Sequence, residues 1–274
     1  MIKLIASDLD GTLLLNGAQD LPEEMFTLIP RLKKEGILFA AASGRQYANM
    51  KRLFAPVVSD MAFICENGAL VVKDDKILYQ EIFDADLMRE IIQAANEKEG
   101  AEYSCSTKDF YYIQPKTDAY YNLLKNIVKC DCRVIKSVEE ITIPCLKMAV
   151  YEPGGVTDEC IKYWQSRFSD RCKVVTSGLT WIDFIPFQTN KAIGVQKLRD
   201  MYDIGADECM VFGDEYNDIE MLQSVKYSFA MAHSKPGVRA SADFEAEREE
   251  PVLEALLQAK GDIEKITLTP SKVL

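Results

Sequence analysis

Two carboxylates stand one residue apart near the start of the chain, in Ser7-Asp8-Leu9-Asp10-Gly11-Thr12. On an extended backbone residues i and i+2 point to one side, so Asp8 and Asp10 can face a single cavity. Like charges that close need a metal ion or a retained proton. A second acidic stretch, Gly213-Asp214-Glu215-Tyr216-Asn217-Asp218, sets carboxylates across one turn of an incipient helix, where they can present oxygens to a hard cation. Other groups suit an anion. The Ser43 hydroxyl and helix-terminal amides can take phosphoryl oxygens, and Gly44 lets the backbone come close. Lys191 falls in the first turn of an expected helix, against the dipole, which is modestly unfavourable unless the cation serves an anion. Taken singly, each has an ordinary reading: an acidic loop, a serine cap, a solvated lysine, a charged first turn.

The elements that position these groups are legible as apolar runs. Ile2 to Ala6 reads as a buried strand cut off by Ser7 and Asp8. Asn16-Gly17 marks a turn, and Pro22 opens a helix with Met25, Leu28, Ile29 and Leu32 on one face and Gly36 at its end. Ile37 to Ala42 is a second strand, running into Ser43 and then a helix through Tyr47, Met50 and Leu53. Strand, helix, strand is the unit that builds parallel sheets. Met61 to Cys65 is a third strand. Asn67-Gly68 is a structural turn before a hairpin of Val71-Val72 and Ile77 to Tyr79.

From about Phe83 to Trp181 aromatics and cysteines become dense. Helical stretches near Leu87–Glu99, Ala119–Val128 and Val156–Phe168 alternate with strand candidates near Phe110–Ile113, Leu146–Tyr151 and Lys173–Thr176. This predicts an inserted α+β domain. The core is expected to resume with Trp181 to Ile185. Thr189 or Asn190 then caps the Lys191 helix. Cys209 to Phe212 and Tyr227 to Met231 read as further strands, and Pro251 to Lys260 as a closing helix.

Composition excludes several classes. The 274 residues carry a net charge of -11, which argues against a nucleic-acid surface. An anionic ligand must therefore meet local positive charge or a metal, not a global field. No apolar run approaches the ~20 residues that span a bilayer, and Asp8 and Asp10 interrupt any signal-peptide pattern, so a cytoplasmic protein is expected. The eight cysteines include no Cys-x-x-Cys pair and the one histidine is His233, so reduced thiols are expected in place of a zinc site. Cys130-Asp131-Cys132 reads as a loop with two incidental thiols, and His233 as a surface-loop histidine.

Taken together, Asp8-Leu9-Asp10-Gly11-Thr12, Ser43-Gly44-Arg45, Lys191 at a helix start, and Gly213-Asp214 with Asn217-Asp218 resemble the four motifs of the haloacid dehalogenase-like phosphohydrolases. The insertion resembles the type IIB cap of the Cof-like class. The resemblance covers essentially the whole chain. It departs at Gln188, where many relatives have glycine, and at Ala232-His233-Ser234, where relatives continue Gly-Asn-Ala.

The resemblance implies a doubly wound, mostly parallel, Rossmann-like α/β core over residues 1–83 and 184–274, with an α+β cap at 84–183 that sets substrate specificity. It implies a Mg2+-dependent phosphatase acting on small phosphorylated metabolites such as sugar phosphates. Asp8 would be the nucleophile and Asp10 the acid/base. Ser43, Gly44, Lys191 and Asn217 would bind phosphate. Asp8, the backbone carbonyl of Asp10, and Asp214 would hold the metal, with Asn217 and Asp218 orienting that shell. A phosphomannomutase-like transferase shares these residues and is the alternative. A receiver-type signalling domain fits less well, because of the second aspartate and the cap. No nucleic-acid or membrane partner is implied, and the chain would act as a monomer or homodimer.

Overall fold

The computed structural model describes residues 1–271. Its strands, in chain order, are β1 (Leu4–Ser7), β2 (Leu38–Ala42), β3 (Met61–Cys65), β4 (Leu70–Lys73), β5 (Lys76–Gln80), β6 (Glu102–Ser106), β7 (Tyr111–Ile113), β8 (Cys132–Val134), β9 (Lys147–Tyr151), β10 (Lys173–Ser177), β11 (Trp181–Ile185), β12 (Cys209–Gly213), β13 (Tyr227–Met231), β14 (Phe244–Ala246) and β15 (Thr269–Pro270). The helices the argument needs are α1 (Met25–Lys34), α2 (Tyr47–Leu53), α3 (Ala85–Glu97), α4 (Asp118–Asn122), α5 (Asp158–Phe168) and α6 (Lys191–Tyr202). The chain divides into two compact units: Met1–Tyr79 together with the chain from Asn190, and Gln80–Thr189.

The first unit is built on a sheet in the order β15-β14-β13-β12-β1-β2-β3-β4-β5. The six strands from β14 to β3 run parallel, and antiparallel strands lie at either side. Central strands of such a sheet are covered on both faces and need continuous apolar sequence. β1, β2, β3 and β12 meet that need, being buried almost throughout. The N-terminal helix begins at Met25, after a turn at Pro22 to Glu24, and buries Met25, Leu28, Ile29 and Leu32.

The second unit holds a six-stranded sheet in the order β10-β11-β9-β6-β7-β8. Here the structure corrects the sequence reading. Trp181 to Ile185 is expected as the first strand back in the core, yet β11 pairs with β10 and β9 inside the insertion. Its alternation explains why: Phe184 packs against Trp164 and Phe168 of α5, with ring centroids 5.5 and 5.8 Å apart. Residues 184–189 therefore belong with the inserted unit. Glu102–Ser106 is a strand the sequence reading does not anticipate, because its serines and glutamate hide the pattern. The helix expected over Ala119–Val128 is a short α-helix followed by a π-helical turn at Leu123–Val128, ending where Lys129 turns left-handed. All eight cysteines are free thiols; Cys130 and Cys132 bring their sulfurs to 3.7 Å. Among the described residues no helix is long and apolar enough to cross a membrane.

One glycine fixes how the Lys191 helix seats on the sheet. A Cβ on Gly194 would lie 2.3 Å from Ile64 Cγ2, on the buried strand β3. Gly194→Ala gains about 1 kcal/mol of helix propensity. The steric cost of forcing α6 off β3, about 1–3 kcal/mol, outweighs it. Urea unfolding should show a net loss near 1 kcal/mol; equal or greater stability would mean that α6 does not seat on Ile64 as described.

Candidate active site

The candidate residues converge because they end neighbouring parallel strands. Asp8 follows β1, Ser43 follows β2 and Asp214 follows β12, and these strands are adjacent in the order β12-β1-β2. Open parallel sheets place ligands at such carboxyl ends. The Asp8 amide donates to the carbonyl of Phe212 at 3.0 Å, tying the first acidic motif to the strand that leads into the second.

Lys191 is the first residue of α6 and only 1% exposed. Asn190 caps the helix through Oδ1, which accepts from the Ile193 amide at 3.0 Å. The Asn67-Gly68 turn is the seat for this start. Gly68 has φ +97°, and a Cβ there would meet the Asn190 carbonyl at 2.0 Å. From this position Lys191 Nζ donates to Asp8 Oδ1 at 2.5 Å and to Asp218 Oδ1 at 2.6 Å.

The three acids differ in what else holds them. Asp218 is fully buried, and its second oxygen accepts from the amides of Asp214 and Glu215, both at 3.1 Å. With both oxygens engaged it acts as an anchor for Lys191 and for the Asp214 loop. Asp214 accepts from Thr12 Oγ1 at 3.0 Å, and its other oxygen lies 3.7 Å from His233 Nε2. Asp8 is 4% exposed. Gly11 lets Asp214 in: its φ is +91°, and a Cβ would stand 2.1 Å from Asp214 Oδ2.

Carboxylate oxygens of Asp8, Asp214 and Asp218 lie within 4.8 Å of one another. Three carboxylates against one ammonium leave two negative charges without a local partner. Burial first, and then Asp218, push Asp8 well above the ordinary carboxylate range, while Lys191 acts the other way. Burial also raises Asp214. For Lys191, burial opposes the charge, but Asp8 and Asp218 together outweigh it and lift the lysine above its usual range. The two rise for different reasons: burial and a neighbouring acid favour the neutral Asp8, whereas two adjacent carboxylates favour the charged lysine. An all-oxygen donor set with a deficit of two positive charges fits a hard divalent ion such as Mg2+.

Asp10 does not join this cluster. Strand pairing of β1 stops at Ser7 and the chain turns through Leu9, so the two-residue alternation that would aim Asp8 and Asp10 together is lost. The Asp10 carboxylate instead meets Arg45, with Nε to Oδ2 at 2.9 Å and Nη2 to Oδ1 at 2.5 Å. This pair is exposed, 57% at Asp10 and 32% at Arg45, so it holds Asp10 by no more than ~1 kcal/mol. Ser43 is buried, and its Oγ accepts from the Arg45 amide at 3.2 Å. Gly44 lies against Asn67, whose amide a Cβ would approach at 3.1 Å. Asn217 is exposed and donates to Asn67 Oδ1 at 3.2 Å.

The sequence reading takes Asn67 only as a turn residue, whereas its side chain lies against Gly44 and accepts from Asn217, and it does not anticipate Arg45 as the partner of Asp10. The only sequence signal for Asn67 is its place in an Asn-Gly pair, and its left-handed φ of 55° is what that pair permits. His233 is half exposed, as a loop histidine would be, yet it stands beside Asp214.

The sequence profile of the haloacid dehalogenase-like hydrolases matches residues 5–256. An Escherichia coli protein named as a 5-amino-6-(5-phospho-D-ribitylamino)uracil phosphatase is 29% identical over 89% of this chain and 90% of its own length. An HMP-PP phosphatase of Citrobacter koseri is 24% identical over 86% of each chain. A crystal structure of a Eubacterium rectale protein superposes with a TM-score of 0.84, at 27% identity over 94% of this chain and 98% of that one. The subclass IIB sugar phosphatase BT4131 shares the fold at a TM-score of 0.74 and 20% identity, over 96% of this chain and 100% of its own.

Beneath Asp8 lies one further acid. Ser7 Oγ is 2.9 Å from the Asp8 carbonyl oxygen and also hydrogen-bonded to Glu249 Oε2. Glu249 is 1% exposed, and its other oxygen has no partner among the described residues. Burial pushes Glu249 from the usual 4.5 up to about 8, with Ser7 acting the other way. A raised folded-state value means that the stability contribution is complete below pH 4.5 and lost as pH climbs to about 8. Over that window the wild type should lose stability that Glu249→Gln, which carries no titrating proton, keeps. Denaturant midpoints measured across the range check this; parallel curves for the two proteins would contradict it.

Proposed function

The chain belongs to the haloacid dehalogenase-like hydrolases, and from that premise we propose that it is a Mg2+-dependent phosphatase of small phosphorylated metabolites, working through an aspartyl-phosphate on Asp8. The observation that carries this reading is the buried Asp8–Lys191–Asp218 arrangement at adjoining strand ends, with Asp214 beside it. Relatives named for the hydrolysis of small phosphorylated compounds support the substrate class.

Asp8 attacks phosphorus, and its carboxylate oxygen forms the new bond as the leaving alkoxide departs. Lys191 fixes the Asp8 carboxylate and offers positive charge to the phosphoryl oxygens, a charge kept in place by Asp218. The Ser43 hydroxyl and the backbone at Gly44 serve the same oxygens, and Asn217 stands at the edge of this cradle. Asp10, released from its weak surface pair with Arg45, protonates the leaving oxygen and then takes a proton from water, whose oxygen bonds to phosphorus as the Asp8–phosphorus bond breaks, freeing the Asp8 carboxylate and inorganic phosphate. Asp8, the backbone carbonyl of Asp10, and Asp214 would hold Mg2+, which supplies Lewis-acid charge at the transferring group. The inserted unit, residues 80–189, is the part assigned to substrate choice.

Two results follow. Turnover of an aryl phosphate should stop with a chelator and return with Mg2+; full activity in metal-free buffer would sink the mechanism. In Asp10→Asn, a good leaving group needs little acid help to form the phosphoenzyme, while its hydrolysis still needs a base. General acid–base groups contribute about 10²–10⁴-fold, enough to change which step limits. Acid-quenched Asp10→Asn should therefore accumulate labelled phosphoenzyme and Asp8→Asn none. Label on the Asp8 variant, or wild-type turnover by the Asp10 variant, would reverse the assignment.

A further inference from the structure

The sheet of the inserted unit has two unlike faces. One carries Cys105, Met148, Val150, Ile182 and Phe184 and is sealed by α3 and α5. The other sets Ser104, Ala149 and Asp183 side by side in register across β6, β9 and β11, with Lys147 on the same face of β9. Lys147 Nζ lies 3.2 Å from Asp183 Oδ2, and both side chains are 9% exposed. Over this floor is a cavity of about 170 Å³, walled by Trp181 and by Leu124 and Val128 of the π-helical turn. Trp181 is itself held in place by Tyr151, at 4.9 Å between ring centroids.

Stability does not account for such a floor. A buried ion pair is often no better for stability than apolar residues of the same volume, and the opposite face of this sheet is packed with mainly apolar residues. The pair offers a donor and an acceptor side by side with no net charge, so it does not select a second anion. Ala149, between Ser104 and Asp183, keeps the floor open. A cavity of roughly 150 Å³ accommodates a benzene ring, so this one has room for a single six-membered ring. The aromatic side chain of Trp181 in the lining favours a planar ring over a flexible chain.

We infer that this cavity binds an uncharged planar heterocycle with a carbonyl next to an N–H, the carbonyl accepting from Lys147 and the N–H donating to Asp183. Assigning that ring to the organic part of the substrate rests on the phosphatase reading; the binding itself does not.

Ligand-observed saturation-transfer NMR on the full chain tests this, with uracil as the probe and ribitol as a non-planar comparison. Uracil should show transfer with the wild type and equally with Asp8→Asn, and ribitol should show less. The double variant Lys147→Met/Asp183→Leu should melt no lower than the wild type and bind uracil at least about tenfold more weakly, the loss expected from even one hydrogen bond to a charged group. Ala149→Leu, which fills the floor and leaves both charges, should abolish transfer. Absence of uracil transfer with the wild type, equal transfer with either cavity variant, or stronger transfer to ribitol would overturn the proposal. A melting point that falls in the double variant would also do so, by making the pair structural. Failure of the phosphatase reading would look different: no turnover of any phosphate ester, with uracil transfer intact.

Discussion

A single buried ammonium, Lys191 Nζ, stands within hydrogen-bond reach of two buried carboxylates, Asp8 and Asp218. Removing one partner of such an arrangement strands the others in a medium that solvates charge poorly, at a cost of about 3–5 kcal/mol. Much of the first unit serves this contact. The Asn67-Gly68 turn receives the carbonyl of Asn190, Gly194 lets α6 lie against Ile64, and the amides of Asp214 and Glu215 hold Asp218 in place. Charge is thus organised before any ligand arrives, which is what electrostatic catalysis requires.

The same contact leaves the site deliberately short of positive charge. Asp214 approaches through the space that Gly11 opens, bringing a third carboxylate to a place where only one lysine answers. Burial and mutual repulsion make that arrangement unfavourable in isolation, as the upward shifts of Asp8 and Asp214 express. A divalent cation would relieve the imbalance, so the metal affinity proposed for the site and the instability of the bare cluster would have one origin. Asp10 stands apart from this balance. Its exposed pair with Arg45 keeps it outside the cluster and free to exchange partners.

The strand ends are legible in the sequence because β1, β2 and β12 are continuous apolar runs, each stopped by the polar group it delivers. Lys191 is legible only through the resemblance, since a lysine in a first helical turn, taken singly, reads as solvated. What depends on contacts distant in sequence is not legible. Nothing local says that Arg45 reaches Asp10, that Asn67 bridges Gly44 and Asn217, or that Glu249 lies beneath Ser7. Local pattern misleads twice. At Asp10 the turn begins one residue too early for it to hold. At Trp181 to Ile185 an apolar run fits either sheet, and only the packing of Phe184 on Trp164 and Phe168 decides.

What most needs testing is whether Asp8 and Asp214, in a cluster that Lys191 leaves short of positive charge and Asp218 anchors, hold a divalent cation as proposed. Calorimetric titration of Mg2+ into metal-free protein tests it without reference to any reaction. One ion should bind per chain, with heat that disappears in Asp214→Asn while that variant, relieved of one uncompensated charge, melts at least as high as the metal-free wild type. No binding by the wild type, or undiminished binding by Asp214→Asn, would contradict it.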